Sequence, residues 1–161
     1  MKKQLEFMLK GSDVTRYHTL RTLQQETVGH HSHGVAMLVL LIKPDIHCDV
    51  VYAALTHDLA EHLTGDIPSP AKRLYGISDT VSGVENELII ESGWPLFLLT
   101  PSEQRVLKLA DIAQGALFCA REVQLGNALM RTVFDRYLSY AEELTPVGRE
   151  RELFDLIKEM V

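Results

Sequence analysis

Apolar residues recur at spacings of three and four in nearly every long segment of this 161-residue chain, and no run alternates apolar with polar residues as a half-buried strand would. Only Leu20 to Thr27 escapes that spacing. The pattern predicts an all-α fold, with glycine, proline and capping residues dividing the helices. A first helix over Met1 to Lys10 is ended by Gly11, and a second over Val28 to Ile42 stops before Pro44. The third, Val50 to Thr64, carries Val51, Ala54, Leu55, Leu59 and Leu63 on its apolar face and is closed by Gly65. Thr64-Gly-Asp-Ile-Pro-Ser-Pro70 reads as a loop stiffened by two prolines. Ser78 to Glu91 is the fourth helix. Thr100-Pro-Ser-Glu103 supplies an N-cap, a proline at the first position and a capping-box glutamate for a fifth that runs to Gly126. Asn127 to Leu144 and Pro146 to Met160 close the chain, the last opened by Thr145-Pro146.

The length suits one domain over residues 1–161, and 46% hydrophobic with 24% charged residues is ordinary for a soluble globular protein. No apolar run reaches the roughly 18 residues of a membrane span, and the start, MKKQLEFMLKGSD, lacks the apolar core and cleavage site of an export signal. A cytoplasmic protein without membrane contact is expected. Cys48 and Cys119 form no close pair, which excludes a thiolate zinc cage and predicts reduced, buried thiols. A net charge of −6 argues against stable nucleic-acid binding, since that requires a basic surface to displace counterions. A small anionic substrate remains compatible if basic residues cluster locally. Trp94-Pro-Leu-Phe-Leu-Leu99 is expected to be core or subunit interface.

His57-Asp58 stands out because an adjacent histidine and aspartate in helical sequence make poor core material. With His31 upstream and Asp111 downstream, two imidazoles and two carboxylates form a mixed nitrogen and oxygen set that suits a borderline divalent ion and leaves coordination positions open. On one continuous helix, Glu61 would lie a turn beyond both His57 and Asp58. Isolated histidines on helices are mostly surface or hydrogen-bonded groups, and His18, His30, His33, His47 and His62 are read that way. The chain has no Glu-x-x-His pair for a di-iron bundle and no His-Glu-x-x-His for a metalloprotease.

The order His31, His57-Asp58, Asp111 resembles the HD-domain phosphohydrolases, whose metal is held by one His, a His-Asp pair and a distant Asp. Val28-Gly-His-His-Ser-His-Gly-Val-Ala-Met37 is similar to the Val-x-x-His-Ser-x-x-Val-Ala-Met helix of the YfbR-type 5'-deoxynucleotidases, with His31 as the ligand. The 16 residues His57-Asp-Leu-Ala-Glu-His-Leu-Thr-Gly-Asp-Ile-Pro-Ser-Pro-Ala-Lys72 resemble that family's His-Asp-x-x-Glu and Thr-Gly-Asp-Leu-Pro-Thr-Pro-x-Lys stretch. Lys108-Leu-Ala-Asp111 is similar to its closing Lys-x-Ala-Asp, and Arg16 precedes His31 by the spacing of its phosphate-binding arginine. The likeness covers about Arg16 to Gly115. Tyr17 departs from the tryptophan usual in the bacterial enzymes, and Gly29-His30 from a small residue and glutamate. These departures and the shorter chain are similar to the compact phage dATP triphosphohydrolases of the DatZ type.

The resemblance implies an HD-domain bundle of about six to seven helices. It implies one divalent ion on His31, His57, Asp58 and Asp111, zinc first with cobalt, manganese and nickel also admissible, and a second ion, magnesium, accompanying a triphosphate. Glu61 and Asp66 are the implied catalytic acid and base. Arg16, Tyr17, Ser69, Lys72, Arg73 and Lys108 are the implied substrate contacts, the cations offsetting phosphate charge and Tyr17 stacking on the base or limiting the sugar pocket. The implied activity is hydrolysis of a deoxynucleotide at its α-phosphate: dATP to deoxyadenosine and triphosphate, in a phage that replaces adenine with diaminopurine and so acts in the bacterial host cytoplasm. The alternative is a 5'-nucleotidase acting on deoxynucleoside monophosphates, and a non-catalytic nucleotide sensor ranks third. The family further implies a homo-oligomer, a hexamer among the orders expected.

Overall fold

A computed structural model describes all residues, Met1–Val161. Thr27 begins the best-defined helix by accepting a hydrogen bond from His30 N, and α2 then runs Val28–Ile42 as the sequence predicts. Before it, α1 occupies Lys2–Ser12 and passes through Gly11 instead of stopping there. Gly11 is spent on packing: a Cβ at this position would lie 2.5 Å from the Leu59 carbonyl oxygen. Between these helices the chain is irregular except for an isolated bridge between Thr15 and Thr27, which fixes Arg16 at the mouth of α2.

The helix expected over Val50 to Thr64 is broken. Helix α3 spans Cys48–Thr56 and α4 spans Glu61–Thr64, so the His57-Asp58 pair lies in the turn between them. Tighter bonds, Leu59 N to Thr56 O and Glu61 N to Asp58 O, carry the backbone through this turn. The break sends Leu59 and Ala60 into a different apolar cluster from Val50 and Ala54. In the proline loop, Ser69–Leu74 coils into a short helix, α5, with Pro70 near its start. Helix α6 is Ser78–Glu91, and α7, Pro101–Gln124, opens with the reciprocal Thr100 and Glu103 capping box. A single 3-10 turn at Ala128–Met130 leads into α8, Arg131–Glu143, and α9 spans Arg149–Lys158, starting after Gly148 instead of at Pro146. These breaks give nine α-helices where six to seven were expected.

Two apolar clusters result. The larger holds 22 buried residues from α2, α3, α7, the 3-10 turn, α8 and α9, centred on Leu109, Ala110, Ala113, Ala116 and Cys119 of α7. The smaller consists of Phe7, Val28, Leu59, Ala60 and Ile89. Alanines along α7 let its neighbours approach closely, which makes it the central helix. Cys119 is buried as expected, whereas Cys48 is exposed because it starts α3. Trp94 packs against the smaller cluster and Leu99 against the larger, while Leu98 between them is 99% exposed, so the Trp94–Leu99 segment is core only at its ends. No helix is long and apolar enough to cross a membrane.

Candidate active site

At the seam of the two clusters, α2, the α3–α4 turn and α7 bring His31, His57, Asp58 and Asp111 together. His31 is fully buried. Its Nδ1 faces Gln114 Oε1, and Gln114 Nε2 donates to Glu26 Oε1 at 2.7 Å. Gly34, one turn along α2, leaves the gap into which the Gln114 side chain lies. His57 Nδ1 donates to Ala54 O at 2.9 Å. With both Nδ1 atoms engaged as donors, the lone pairs of both imidazoles sit on Nε2. Each Nε2 is buried and has no hydrogen-bond partner.

Carboxylates surround these orphaned nitrogens. Asp58 Oδ2 lies 3.5 Å from His31 Nε2 and 3.4 Å from His57 Nε2, and Asp111 Oδ1 lies 3.2 Å from His31 Nε2. Burial depresses the pKa of His57, although Asp58 opposes this. Burial would raise Asp111, but Lys108 and His31 outweigh it and hold the carboxyl well below the usual range. Asp58 is likewise held low, burial being outweighed by His57, Arg16 and His31. Two imidazole nitrogens without hydrogen-bond partners, flanked by two carboxylates, fit a divalent cation.

A cavity of about 870 Å³ opens over this group. Eleven of the twelve residues expected from sequence line it, and His31 lies beneath. Glu61 begins α4, is only 4% exposed and keeps Oε2 without a partner. Burial, then the charges of Asp58 and Asp66, push its carboxyl up to about 9. Asp66 lies in the loop after α4, its Oδ2 3.6 Å from His18 Nδ1. Although the sequence reading sets His18 aside as an ordinary surface residue, it also lines the cavity.

The expected phosphate-binding cations reach the cavity already paired. Arg16 Nη1 lies 2.8 Å from Asp58 Oδ2 and its Nε 3.2 Å from Glu26. Lys108 Nζ donates to Asp111 Oδ2 at 2.7 Å, and Lys72 Nζ is 3.8 Å from Glu85. Arg73 lies 3.7 Å over the Tyr140 ring and 3.9 Å from Glu143, and Ser69 is exposed at the start of α5. Tyr17 has φ 56°, a left-handed backbone that costs a side-chain-bearing residue about 1–2 kcal/mol. Its ring stacks on Phe118, with centroids 4.8 Å apart, and the Arg16 guanidinium lies 5.8 Å from the ring centroid.

Sequence reasoning missed the supports: Glu26, Gln114, Glu85 and the wall formed by Val133, Arg136, Tyr137 and Tyr140 of α8. Gln114 follows Asp111 by three residues on α7, a spacing that could have signalled it. Nothing in the local sequence of α8 marks it as part of a site.

Residues 5–91 match the family described as 5'-deoxynucleotidase YfbR-like. The chain belongs to the YfbR-like family. That places this YfbR-like chain among the hydrolases, in the HD phosphohydrolase class. It aligns with the dATP triphosphohydrolase of Salmonella phage PMBT28 at 24% identity over 89% of this chain and 80% of that protein. With the dATP triphosphohydrolase of Acinetobacter phage SH-Ab 15497 the identity is 30% over 45% of this chain, and the aligned part spans 43% of that relative. The 5'-deoxynucleotidase YfbR of Salmonella arizonae is 25% identical over 71% of this chain and 69% of its own. Among solved structures, the HD phosphohydrolase DatZ of cyanophage S-2L, bound to dA and one catalytic Zn2+, superposes with a TM-score of 0.70 at 18% identity, covering 96% of this chain and 94% of that one. A protein of Pyrococcus horikoshii reaches 0.74 at 21% identity over 99% and 98% of the two chains. The fold shared with these two structures extends over α7 to α9, beyond the family match.

Proposed function

We propose that the chain hydrolyses deoxynucleotides at the α-phosphorus, dATP first, with deoxyadenosine and triphosphate as products. The observation that carries this reading is the pair of orphaned Nε2 atoms of His31 and His57, flanked by Asp58 and Asp111 beneath a cavity of about 870 Å³. His31, His57, Asp58 and Asp111 would hold one divalent ion, zinc first because the DatZ neighbour carries it, with cobalt, manganese and nickel also suited to these donors and magnesium accompanying the triphosphate. When bound, that ion would polarise a phosphoryl oxygen and lower the pKa of water.

The chain's own residues do the rest. Arg16, beside Asp58, and Lys108, beside Asp111, sit where the α-phosphate's charge must be met, while Lys72 and Arg73 reach the same cavity from α5. Water adds to the α-phosphorus as the bond to the 5' oxygen breaks. Glu61 and Asp66 carry the two proton transfers between them, one from the attacking water and one to the departing 5' oxygen. Tyr17 and Ser69, which line the cavity, complete the substrate contacts. Loss of dATP from the nucleotide pool is what replacement of adenine by diaminopurine requires, and we place the enzyme there, in the cytoplasm of a bacterial host. We also read residues 1–161 as one HD domain that assembles into a homo-oligomer, a hexamer being the order to test by light scattering.

A second reading, 5'-nucleotidase action on deoxynucleoside monophosphates, is favoured by the family match itself. Chromatographic product analysis after incubating the metal-loaded protein with dATP, dGTP, dAMP and ATP separates the two. Intact triphosphate with deoxyadenosine supports the first, turnover of dAMP alone supports the second, and no turnover with any metal returns the chain to a sensing role. His57→Ala is expected to lose both metal and turnover; a variant that keeps full turnover after metal removal refutes the ligand assignment.

A further inference from the structure

The α8 wall lies outside the family-matched residues, yet it touches the substrate side of the site. Tyr137 rests against α7 in the space left by Gly115, where a Cβ would overlap its ring. Its hydroxyl meets that of Tyr17 at 3.0 Å. Tyr17 is held on its other side by the Phe118 stack. The loop that follows is anchored to α7: Leu23 N and Gln24 N each donate to the buried Glu122 carboxylate at 2.7 Å, and Asn127 Nδ2 donates to Arg21 O at 2.9 Å. Tyr17 is thus clamped and cannot swing away from the cavity. Arg16, its neighbour in sequence, is bonded to Asp58, so the aromatic wall stands one residue from the guanidinium that the proposed function assigns to the α-phosphate. A nucleotide's sugar follows that phosphate by a single ester oxygen. The sugar must therefore pass the Tyr17 edge.

We propose that Tyr137 is a positioning residue for sugar specificity: its hydroxyl pins the Tyr17 ring as a fixed wall that admits deoxyribose and rejects the 2'-hydroxyl of ribose. This rests on the deoxynucleotide reading above. A wall that cannot retreat penalises one added oxygen sterically, whereas a loosened wall accommodates it. The two phenols act through one bond, so removing either hydroxyl should have the effect of removing both.

The test is kcat/KM for dATP and for ATP in the wild type, Tyr137→Phe, Tyr17→Phe and the double variant. The phenylalanine variants keep the ring volumes, and their thermal melts verify folding. Tyr137→Phe is expected to narrow the deoxy-to-ribo preference about tenfold, mainly through a lower KM for ATP, and the double variant is expected to narrow it no further than either single change. Gly115→Ala, which displaces the Tyr137 ring, should move the ratio in the same direction. An unchanged ratio in Tyr137→Phe, or additive single effects, overturns the proposal while leaving the deoxynucleotide reading intact. A wild type that does not discriminate overturns it too, and one that hydrolyses neither nucleotide sinks both.

Discussion

The floor and the rim of the site are built differently. The floor belongs to α2 and α7, where His31 is fully buried and the residues around it, Val35, Ala110 and Ala113, are part of the 22-residue cluster. The rim over Glu61 to Leu74 consists of two short helices; α5 buries no residue, and its basic side chains lean on Glu85, Tyr140 and Glu143 from α6 and α8. His31 and Asp111 stand on two long helices of the close-packed interior and the α3–α4 turn brings His57 and Asp58 to them, while groups that must meet a larger substrate are left where rotamers can adjust. Rigidity is concentrated where the donors converge.

That contrast can be broken at several points. Glu61→Gln is expected to retain metal, measured by elemental analysis, yet lose about 10²- to 10⁴-fold in turnover, because it leaves the donor set intact and removes a proton carrier; metal loss in this variant would mean that the rim residue also shapes the floor. Phe134→Ala, in the larger cluster, should cost about 3–5 kcal/mol in denaturant unfolding, with Phe7→Ala in the smaller cluster costing less. Equal costs would show that the two clusters melt as one. Gln114→Leu removes the partner of His31 Nδ1 and should weaken metal affinity about 10- to 100-fold with little change in unfolding midpoint.

The smallest effect lies in the contact between α8 and α9. Arg151 and Lys158 of α9 bond to Glu142 of α8 and pull its carboxyl from 4.5 down to about 2. A carboxylate depressed in the folded state contributes its full stabilisation above its unfolded pKa and loses it as pH falls through the folded value. Between about pH 4.5 and pH 2 the α8–α9 contact should therefore weaken, and Glu142→Gln should flatten the acid dependence of the circular dichroism signal over that window alone.

The same division explains what could be read from the sequence. The bounds of α2 and α6 and the Thr100 capping box follow from local periodicity and turn chemistry, and the structure reproduces them. Periodicity failed at His57, where Leu59 keeps the helical spacing of α3 but packs in the other cluster; a repeat in sequence does not say which core receives a side chain. The motif residues were legible because each carries chemistry of its own. Gln114 had only its spacing from Asp111 to mark it, and Glu26 and Tyr137 had nothing, since the roles of all three come from partners 83, 88 and 120 positions away. Such pairings exist only once α7 and α8 have packed.

The fit of Tyr137 over Gly115 has an evolutionary consequence. Any side chain at position 115 would displace the aromatic ring at 137 and with it the hydroxyl contact to the ring at 17, so these three positions are expected to change together. Among descendants of this chain, drift at one of them should be followed by compensating change at the others, and substrate range would shift in jumps when the trio turns over, not gradually.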